Sequence, residues 1–305
     1  YDSLVFATGS RVRKLTVPGS ELPAIHYLRG IDDVKAIQPH FHAGKRMVVV
    51  GGGYIGLETA AVAAKRGLAV TVVEAMERCL QRVTSPLMSD FFQSLHRAEG
   101  VVIQTETGVT GFEAAPGGGL LVKTTKGEIA CDFVVAGIGI LPGQELAAAS
   151  GIVCDNGIVV DEFARTSDPD IYAAGDCANL PSKLMGRRLR LESVHNAIEQ
   201  AKTAALSIAG KPKAYDDVPW FWSDQYDVKL QIAGLSAPGD SVVVRGDPAA
   251  RKFAAFYLRD GVVAAVDAVN AAPEYMIGRM MIAQKKAVDP ARLADLATPM
   301  KALMG

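Results

Sequence analysis

Three glycines with the spacing Gly51-x-Gly53-x-x-Gly56 stand between an apolar run and a stretch with helical periodicity. In such a turn the first glycine permits the bend, the second admits a pyrophosphate, and the third allows close contact between helix and strand. The following helix turns its N-terminal amides toward the phosphates. The spacing predicts a dinucleotide cradle made of Gly51, Gly52, Gly53, Tyr54, Ile55 and Gly56.

An acidic residue, Glu74, closes the next predicted strand. A carboxylate at this place accepts hydrogen bonds from a ribose diol and repels a 2′-phosphate, so the pattern favours NADH over NADPH. Arg78, four residues later, leaves two interpretations open. Its guanidinium could reach a phosphate, or it could be a solvated surface residue.

A second segment, "TSDPDIYAAGDCA" (166–178), ends a predicted strand on small residues and presents Asp176. Small side chains leave space for a ligand, and a carboxylate can bind polyhydroxyl groups. The alternative is that Asp176 caps a helix, and the two roles are compatible. The segment resembles a second flavin-binding motif over its whole length, and this resemblance favours a flavin role.

Neither a side-chain nucleophile nor a metal site is predicted. The four cysteines, Cys79, Cys131, Cys154 and Cys177, form no Cys-x-x-Cys pair, so the sequence encodes no local zinc knuckle or dithiol. Reduced, buried thiols in a cytoplasmic protein are the favoured interpretation.

The overall composition is that of a globular protein. The chain has 305 residues, of which 49% are hydrophobic and 21% charged, and its net charge is −1. This charge provides no general attraction to nucleic acid or to an anionic membrane, and no apolar run approaches the roughly 18 residues of a membrane span. We therefore expect neither partner.

The elements that must position these residues can be read from periodicity. Residues 44–75 predict strand, glycine turn, helix and strand, which is one βαβ unit. A helix is predicted over 87–98 with Leu87, Phe91, Leu95 and Ala98 on its apolar face, followed by strands at 101–104, 120–124 and 129–136. Another helix is predicted over 193–208. From residue 216 the pattern is that of antiparallel strands, two of them joined by an Asp260-Gly261 turn.

At these residues the chain resembles the flavoprotein pyridine-nucleotide reductases, and within them the NADH-dependent ferredoxin reductases of bacterial oxygenase and P450 systems. The segments that carry the resemblance are "YDSLVFATGSR", "VVVGGGYIGLE", "GIGILPG", "RLESVHNAIEQA" and "PWFWSDQYDVKLQIAGL". The last two are typical of the ferredoxin-reductase branch. The resemblance implies an α/β fold of Rossmann-like FAD- and NAD(P)-binding domains with a C-terminal α+β domain. It also implies FAD and NAD as cofactors and a [2Fe–2S] ferredoxin as the partner.

The resemblance assigns roles to individual residues. Toward NAD it implies that Glu58 approaches the nicotinamide carboxamide and that Gly137 and Gly139 leave space near the ring. Toward FAD it implies binding by Thr8, Gly9, Arg11, Asp176, Glu192, Ser193, Val194 and Trp222, with Trp222 also near the docked ferredoxin.

The resemblance also implies domain boundaries. Residues 1–10 and 135–215 form the remainder of an FAD-binding domain, 11–134 the NAD-binding domain, and 216–305 the C-terminal reductase domain. In the family a further segment with the glycine turn for the ADP part of FAD precedes the equivalent of Tyr1. We therefore expect the FAD domain of this chain to be incomplete and to retain little FAD by itself.

Several alternatives remain open from the sequence. His195 is favoured as a polar residue at a helix start rather than a catalytic group, and Trp220 as a core aromatic residue. The cluster of Arg187, Arg188 and Arg190 is equally consistent with a solvated loop and with ferredoxin docking. Rival functions are an NADH oxidase or CoA-disulfide reductase, and a redox-sensing interaction protein of the apoptosis-inducing-factor kind.

Overall fold

A computed structural model describes all 305 residues and shows a mixed α/β fold, which confirms the predicted fold class. None of its helices combines the length and the apolar character that a membrane span requires. The α-helices are α1 (Ile31–Ile37), α2 (Tyr54–Lys65), α3 (Pro86–Ala98), α4 (Glu145–Ala149), α5 (Val194–Ile208), α6 (Ala272–Ala283) and α7 (Pro290–Ala294). Short 3₁₀ helices cover Gln38–His40 and Met300–Leu303.

The strands are short and numerous. They are β1 (Leu4–Phe6), β2 (Ser10–Val12), β3 (Ile25–Tyr27), β4 (Arg46–Val50), β5 (Ala69–Val73), β6 (Val102–Gln104), β7 (Val109–Ala114), β8 (Leu120–Thr124), β9 (Gly127–Cys131), β10 (Phe133–Ala136), β11 (Ile140–Pro142), β12 (Ile158–Val159), β13 (Ile171–Ala173), β14 (Ala178–Ser182), β15 (Arg187–Leu189), β16 (Trp220–Gln225), β17 (Val228–Gly234), β18 (Ser241–Asp247), β19 (Lys252–Arg259) and β20 (Val262–Val269).

The chain divides into two compact units. Unit 1 comprises Tyr1–Arg11, Leu141–Trp222 and Leu230–Gly305. Unit 2 comprises Val12–Ile140 and Ser223–Lys229. The segment Ser223–Lys229 therefore groups with unit 2, although the sequence analysis assigned it to the C-terminal domain. The division into three domains stays a prediction.

Unit 2 is built on a five-stranded parallel sheet with the order β3-β10-β4-β5-β6. Residues Met47–Val50 of β4 are all buried, as expected for a strand of a parallel sheet that is covered on both faces. The chain leaves β4 toward β5, whereas β10 lies on the other side of β4. This reversal of strand order at β4 is where α/β sheets bind ligands, beyond the carboxyl ends of the strands.

A three-stranded antiparallel sheet, β7-β8-β9, supplies further apolar side chains to unit 2. The sequence analysis missed β7 and predicted one strand over 129–136. The structure has two strands there, β9 and β10, separated by Asp132. The Asp132 amide donates to the Arg46 carbonyl (2.8 Å) and its carboxylate accepts from the Arg46 amide (2.7 Å), which holds the chain as it passes between sheets.

Helix α3 buries only part of the predicted face, since Leu95 is buried as predicted. The prediction included Leu87 and Ala98, but the structure buries Met88 and Phe92 and leaves Ala98 exposed. His96 is completely buried on this face. A buried polar side chain needs hydrogen-bond partners, which an apolar periodicity cannot reveal.

In unit 1, β1 pairs in parallel with β13, with Leu4 opposite Ile171 and Phe6 opposite Ala173. Phe6 is buried in a cluster that includes Ile158 and Leu180. This pairing brings the "ATG" segment that follows β1 close to the "AAGD" segment that follows β13, because parallel strands end at the same edge.

The C-terminal part of the chain forms a five-stranded sheet with the order β16-β17-β20-β19-β18, against which α6 packs. The predicted Asp260-Gly261 turn is confirmed, since both residues have positive φ (52° and 79°) and join β19 to β20. Phe256 and Val266 form part of the core beneath α6. Gly278 of α6 allows this close approach, because a Cβ there would lie 2.8 Å from Val266 Cγ1 and 3.1 Å from Phe256 Cε1.

We predict that Gly278→Ala lowers the free energy of unfolding by about 1 kcal/mol, measured by urea denaturation. Overpacking a core costs about 1–3 kcal/mol, and the better helix propensity of alanine returns at most about 1 kcal/mol. Met276→Ala on the same helix is the control, because Met276 is 64% exposed. A Gly278→Ala protein as stable as the parent would contradict the close packing of α6.

Candidate functional site

The glycine turn after β4 has the geometry of a phosphate cradle. Gly51 has a φ of 107°, and a Cβ on it would lie 2.4 Å from the Gly137 carbonyl oxygen. A Cβ on Gly56 would lie 2.1 Å from the Gly51 carbonyl oxygen. β4, β10 and α2 therefore approach one another closely at one edge of the sheet. A larger residue at Gly51 or Gly56 would prevent this approach.

The start of α2 is open toward a ligand. Gly53 is the N-cap of the helix and has open space where a Cβ would stand, and no side chain caps the helix. Ile55 is 45% exposed. Uncapped N-terminal amides beside an open glycine fit the pyrophosphate of a dinucleotide. Gly139 also lies in unit 2, with a φ of 104° and free space around its Cα.

Glu74 lies beside this turn at the end of β5. Its carboxylate accepts hydrogen bonds from the Gly52 amide (2.7 Å) and the Met76 amide (2.8 Å). Each carboxylate oxygen can accept more than one hydrogen bond, so these contacts hold the group in place without using its full capacity. The sequence analysis predicted the acid but not its bond to the glycine turn.

The Arg78 side chain is bonded to other residues of the chain and is not the solvated surface residue that the sequence allowed. Its guanidinium donates to the Thr84 carbonyl (3.0 Å), to the Ser89 hydroxyl, and to the Gln81 carbonyl (3.3 Å). A phosphate contact would require these bonds to be exchanged. The structure therefore favours Arg78 as a brace of the loop after β5.

Glu58 lies one turn into α2 and is half-buried. Its carboxylate accepts a hydrogen bond from the Ser223 hydroxyl (2.6 Å), which belongs to the short segment of unit 2 at the end of β16. Burial raises the pKa of Glu58, the Ser223 bond opposes that rise, and the nearby Asp224 carboxylate adds to it. Glu58 was predicted from the sequence, whereas its partner Ser223 was not, because the two residues lie 165 positions apart.

A groove of about 550 Å³ borders Glu58 in unit 2. Its walls come from α1, α2 and the loops beside them, and they include the exposed apolar side chains of Val34, Ile55 and Val62. The volume lies in the range of small-molecule sites. Of the predicted NAD residues, Ile55 and Glu58 line this accessible, mainly apolar space.

The predicted flavin residues of unit 1 come together in two groups. In the first, the Thr8 hydroxyl donates to the Gly143 carbonyl, and Gly9 has a positive φ of 60°. The Arg11 guanidinium bonds to the Glu145 carboxylate, with Arg11 Nε 3.1 Å from Oε1. Arg11 thus has a carboxylate partner that the sequence analysis did not predict.

In the second group, Asp176 follows the end of β13 and accepts a hydrogen bond from the Ser10 hydroxyl (2.7 Å). Gly175, with a φ of 85°, lies against the first turn of α5, and its amide donates to Gln200 Oε1 (2.7 Å). Ser193 is the N-cap of α5 and accepts from the Asn196 amide. Asp176 therefore does not cap α5, and its role in binding polyhydroxyl groups stays a prediction.

The residues at the start of α5 are accessible. Val194 is 57% exposed, and Glu192 is exposed and paired with Arg190 at 2.7 Å. His195 is largely buried, as its ring lies 5.4 Å from the Trp220 ring and 3.5 Å from the Asp217 carboxylate. Burial lowers the pKa of His195, which keeps the ring neutral near pH 7. It lies at the helix start, as predicted.

Trp222 is 43% exposed, and its ring lies 5.7 Å from that of Trp220. Trp220 packs against the core of the C-terminal sheet and has the Arg279 guanidinium over its face at 5.8 Å. The structure thus agrees with the assignment of Trp220 to the core. It leaves Trp222 as an accessible aromatic side chain in unit 1.

The three arginines of the cluster differ in their contacts. Arg188 donates to the Asn179 side chain (3.1 Å) and the Val160 carbonyl (2.7 Å), and Arg190 bonds to Asn156 and Glu192. Only Arg187 has no such contact among the three. Two of the three guanidiniums therefore stabilise unit 1, which favours a structural role for this cluster.

Comparison with known proteins agrees with the geometry. Residues 1–201 match the pyridine nucleotide-disulphide oxidoreductase family, and residues 220–304 match the reductase C-terminal family. The ferredoxin reductase subunit of 5,5'-dehydrodivanillate O-demethylase from Sphingobium sp. is 45% identical over 99% of this chain and 74% of its own length. Putidaredoxin reductase from Pseudomonas putida is 43% identical over 100% of this chain and 74% of its own length.

Among solved structures, the covalent putidaredoxin reductase–putidaredoxin complex matches with a TM-score of 0.95 and 43% identity, over 100% of this chain and 74% of that chain. The match extends over both units and includes the glycine turn of β4, the strand before Asp176 and the C-terminal sheet. The chain therefore belongs to the pyridine nucleotide-disulphide oxidoreductase family and carries its reductase C-terminal domain.

Proposed function

We propose that the chain functions as an NADH:ferredoxin oxidoreductase that serves an oxygenase or a P450. FAD, when bound by the residues of unit 1, would supply the chemistry that links hydride transfer from NADH to single-electron transfer to a [2Fe–2S] ferredoxin. The observation that carries the proposal is the uncapped glycine cradle with Glu74 beside it, in a chain whose residues 220–304 match the reductase C-terminal family.

The residues of unit 2 bind and orient NADH. The amides at the start of α2 hold the pyrophosphate, and the Glu74 carboxylate accepts from the ribose hydroxyls. Glu58 accepts from the carboxamide of the nicotinamide, and Gly137 and Gly139 leave space for the ring. Orientation of a bound cofactor is what the protein contributes to hydride transfer, so no nucleophilic side chain is required.

The residues of unit 1 hold the flavin. Thr8, Gly9 and Arg11 lie on its phosphate side, and Asp176 binds the ribitol. Glu192, Ser193 and Val194 pass the ring at the start of α5, where the positive end of the helix dipole stabilises negative charge. Trp222 lies at the flavin and forms part of the surface that receives the ferredoxin.

Cys79 and Cys131 do not supply a reactive thiol for the rival function of an NADH oxidase or CoA-disulfide reductase. Burial raises the pKa of Cys79 and of Cys131 to about 12, so neither is a thiolate at neutral pH. All four cysteines are free.

Reduced thiols and a requirement for NADH support a cytoplasmic location.

The test of the proposed function is reduction of a [2Fe–2S] ferredoxin by NADH, followed through cytochrome c with the flavin-loaded enzyme. The proposal requires electron flow that depends on the ferredoxin. Rapid oxidation of NADH by oxygen or by CoA disulfide, without transfer to a ferredoxin, would support the rival enzymes instead.

We predict that the chain binds NADH more tightly than NADPH and that Glu74→Gln narrows this difference by about 1–2 kcal/mol, the range of a hydrogen bond to a charged group. Glutamine keeps the shape of the side chain and removes its repulsion of a 2′-phosphate. Calorimetric titration of both nucleotides measures the difference.

Arg78→Met is the matched control, because Arg78 is bonded within its own loop and the NADH/NADPH ratio should stay as it is in the parent. A parent chain that binds NADPH equally well or better would overturn the role of Glu74. A ratio that changes with Arg78 instead would show that the loop exchanges its bonds for a phosphate.

We predict that Trp222→Ala weakens ferredoxin binding about 10- to 30-fold, as removal of an exposed tryptophan from the centre of an interface does. In stopped-flow experiments the reduction of the flavin by NADH should change much less than the reduction of ferredoxin. Leu296→Ala is the control, since Leu296 is another exposed apolar residue of unit 1 (65% exposed). Equal slowing of both steps by Trp222→Ala would make Trp222 a packing residue.

A further inference from the structure

A continuous chain of hydrogen bonds leads from Glu58 into the interior of unit 2. The Ser223 hydroxyl lies 2.6 Å from Glu58 Oε1, and Gln225 Nε2 lies 3.1 Å from the Ser223 oxygen. Gln225 Oε1 lies 2.8 Å from His96 Nε2, and His96 Nδ1 lies 3.0 Å from the Tyr226 hydroxyl. The side chains of Ser223, Gln225 and His96 are at most 1% exposed.

The donors and acceptors in this chain can be assigned from the chemistry of the groups. Because the Gln225 amide nitrogen donates to Ser223, its oxygen accepts, and His96 must carry its proton on Nε2. His96 Nδ1 then accepts from the Tyr226 hydroxyl. Burial lowers the pKa of His96 and raises that of Tyr226, so the imidazole is neutral and the phenol keeps its proton. Every donor points toward Glu58.

This direction determines what Ser223 can do. With Gln225 donating to its oxygen, the Ser223 hydroxyl has its proton free for Glu58. The ionised Glu58 carboxylate is an acceptor only, so it can accept from both the Ser223 hydroxyl and a carboxamide. Hydrogen bonds in series also polarise one another, so the distal members strengthen the bond that reaches the carboxylate.

The segment that carries Ser223 and Gln225 is fixed to two helices. His96 belongs to α3, and the Lys65 ammonium at the end of α2 donates to the Tyr226 carbonyl (2.8 Å). Lys65 also lies 5.9 Å from the centre of the Tyr226 ring. The contacts with Glu58 and Lys65 hold this segment against α2 at two points, and they thereby fix the position of the Ser223 hydroxyl.

We propose that His96 is a positioning residue for NADH: through Gln225 and Ser223 it directs a hydrogen bond onto Glu58 and holds that carboxylate toward the nicotinamide carboxamide. His96 itself does not touch the cofactor. The proposal rests on the proposed role of Glu58 in NADH binding. It assigns a function to a buried histidine of α3 that would otherwise only fill the core.

The test is a double-mutant cycle on the dissociation constant of NADH, measured by titration of the chain. We expect His96→Asn to weaken NADH binding about 3- to 10-fold, the range that one hydrogen bond supplies. In the Glu58→Gln background the same substitution should have no further effect, because residues that act through one another are not additive. A merely structural role would weaken binding equally in both backgrounds.

Tyr226→Phe provides a second route if His96→Asn does not fold. It removes a single hydroxyl and keeps the ring, and it should weaken NADH binding about 2-fold in the parent and not in Glu58→Gln. Gln93→Met is the matched control, since Gln93 is another buried polar residue of α3 that is outside the hydrogen-bond chain. The dissociation constant of NADH from the Gln93→Met variant should equal that from the parent.

The outcomes separate this inference from the function on which it rests. If Glu58→Gln leaves NADH binding unchanged, the proposed role of Glu58 is wrong. If Glu58→Gln weakens binding but the effects of His96→Asn and Tyr226→Phe are absent or additive, Glu58 binds NADH and the positioning role of His96 is overturned. Melting temperatures of all variants show which of them are folded.

Discussion

The approach of three backbone segments at the carboxyl edge of the parallel sheet is the constraint on which the site depends. A Cβ on Gly56 would lie 2.1 Å from the Gly51 carbonyl oxygen, and a Cβ on Gly51 would lie 2.4 Å from that of Gly137. Because these atoms are absent, α2 begins directly at the end of β4 and beside β10. Its uncapped amides then form the place where negative charge is most favourable.

Two carboxylates border this edge, and their surroundings suit different tasks. The Glu74 carboxylate accepts from the Gly52 amide of the glycine turn and from the Met76 amide, which fixes it at the end of β5. Glu58 is held by a serine from a distant part of the sequence, and burial raises its pKa. A carboxylate such as Glu74, held by backbone amides, is a rigid acceptor. The position and hydrogen bonding of Glu58, which is held by a series of side chains, can be changed by residues that never touch the ligand.

The sequence predicts best where the signal is local. The glycine turn, α2 and the Asp260-Gly261 hairpin each depend on a few adjacent residues whose conformation is decided by sterics. The buried face of α3 was predicted only in part: Leu95 is buried as predicted, but His96 is buried through a partner more than a hundred residues away. Likewise Arg188 and Arg190 looked available in the sequence, and only the folded chain shows their acceptors. Tertiary hydrogen bonds leave no periodic signal.

Hydrogen exchange of the backbone amides with and without NADH tests the central claim most directly, namely that the turn after β4 binds the pyrophosphate of the dinucleotide. The account predicts slower exchange for the amides of residues 51–57 and of 137–139 when NADH is present. It predicts unchanged exchange in β18, β19 and β20 of the C-terminal sheet. Saturating NADH with no protection at residues 51–57 would contradict the account.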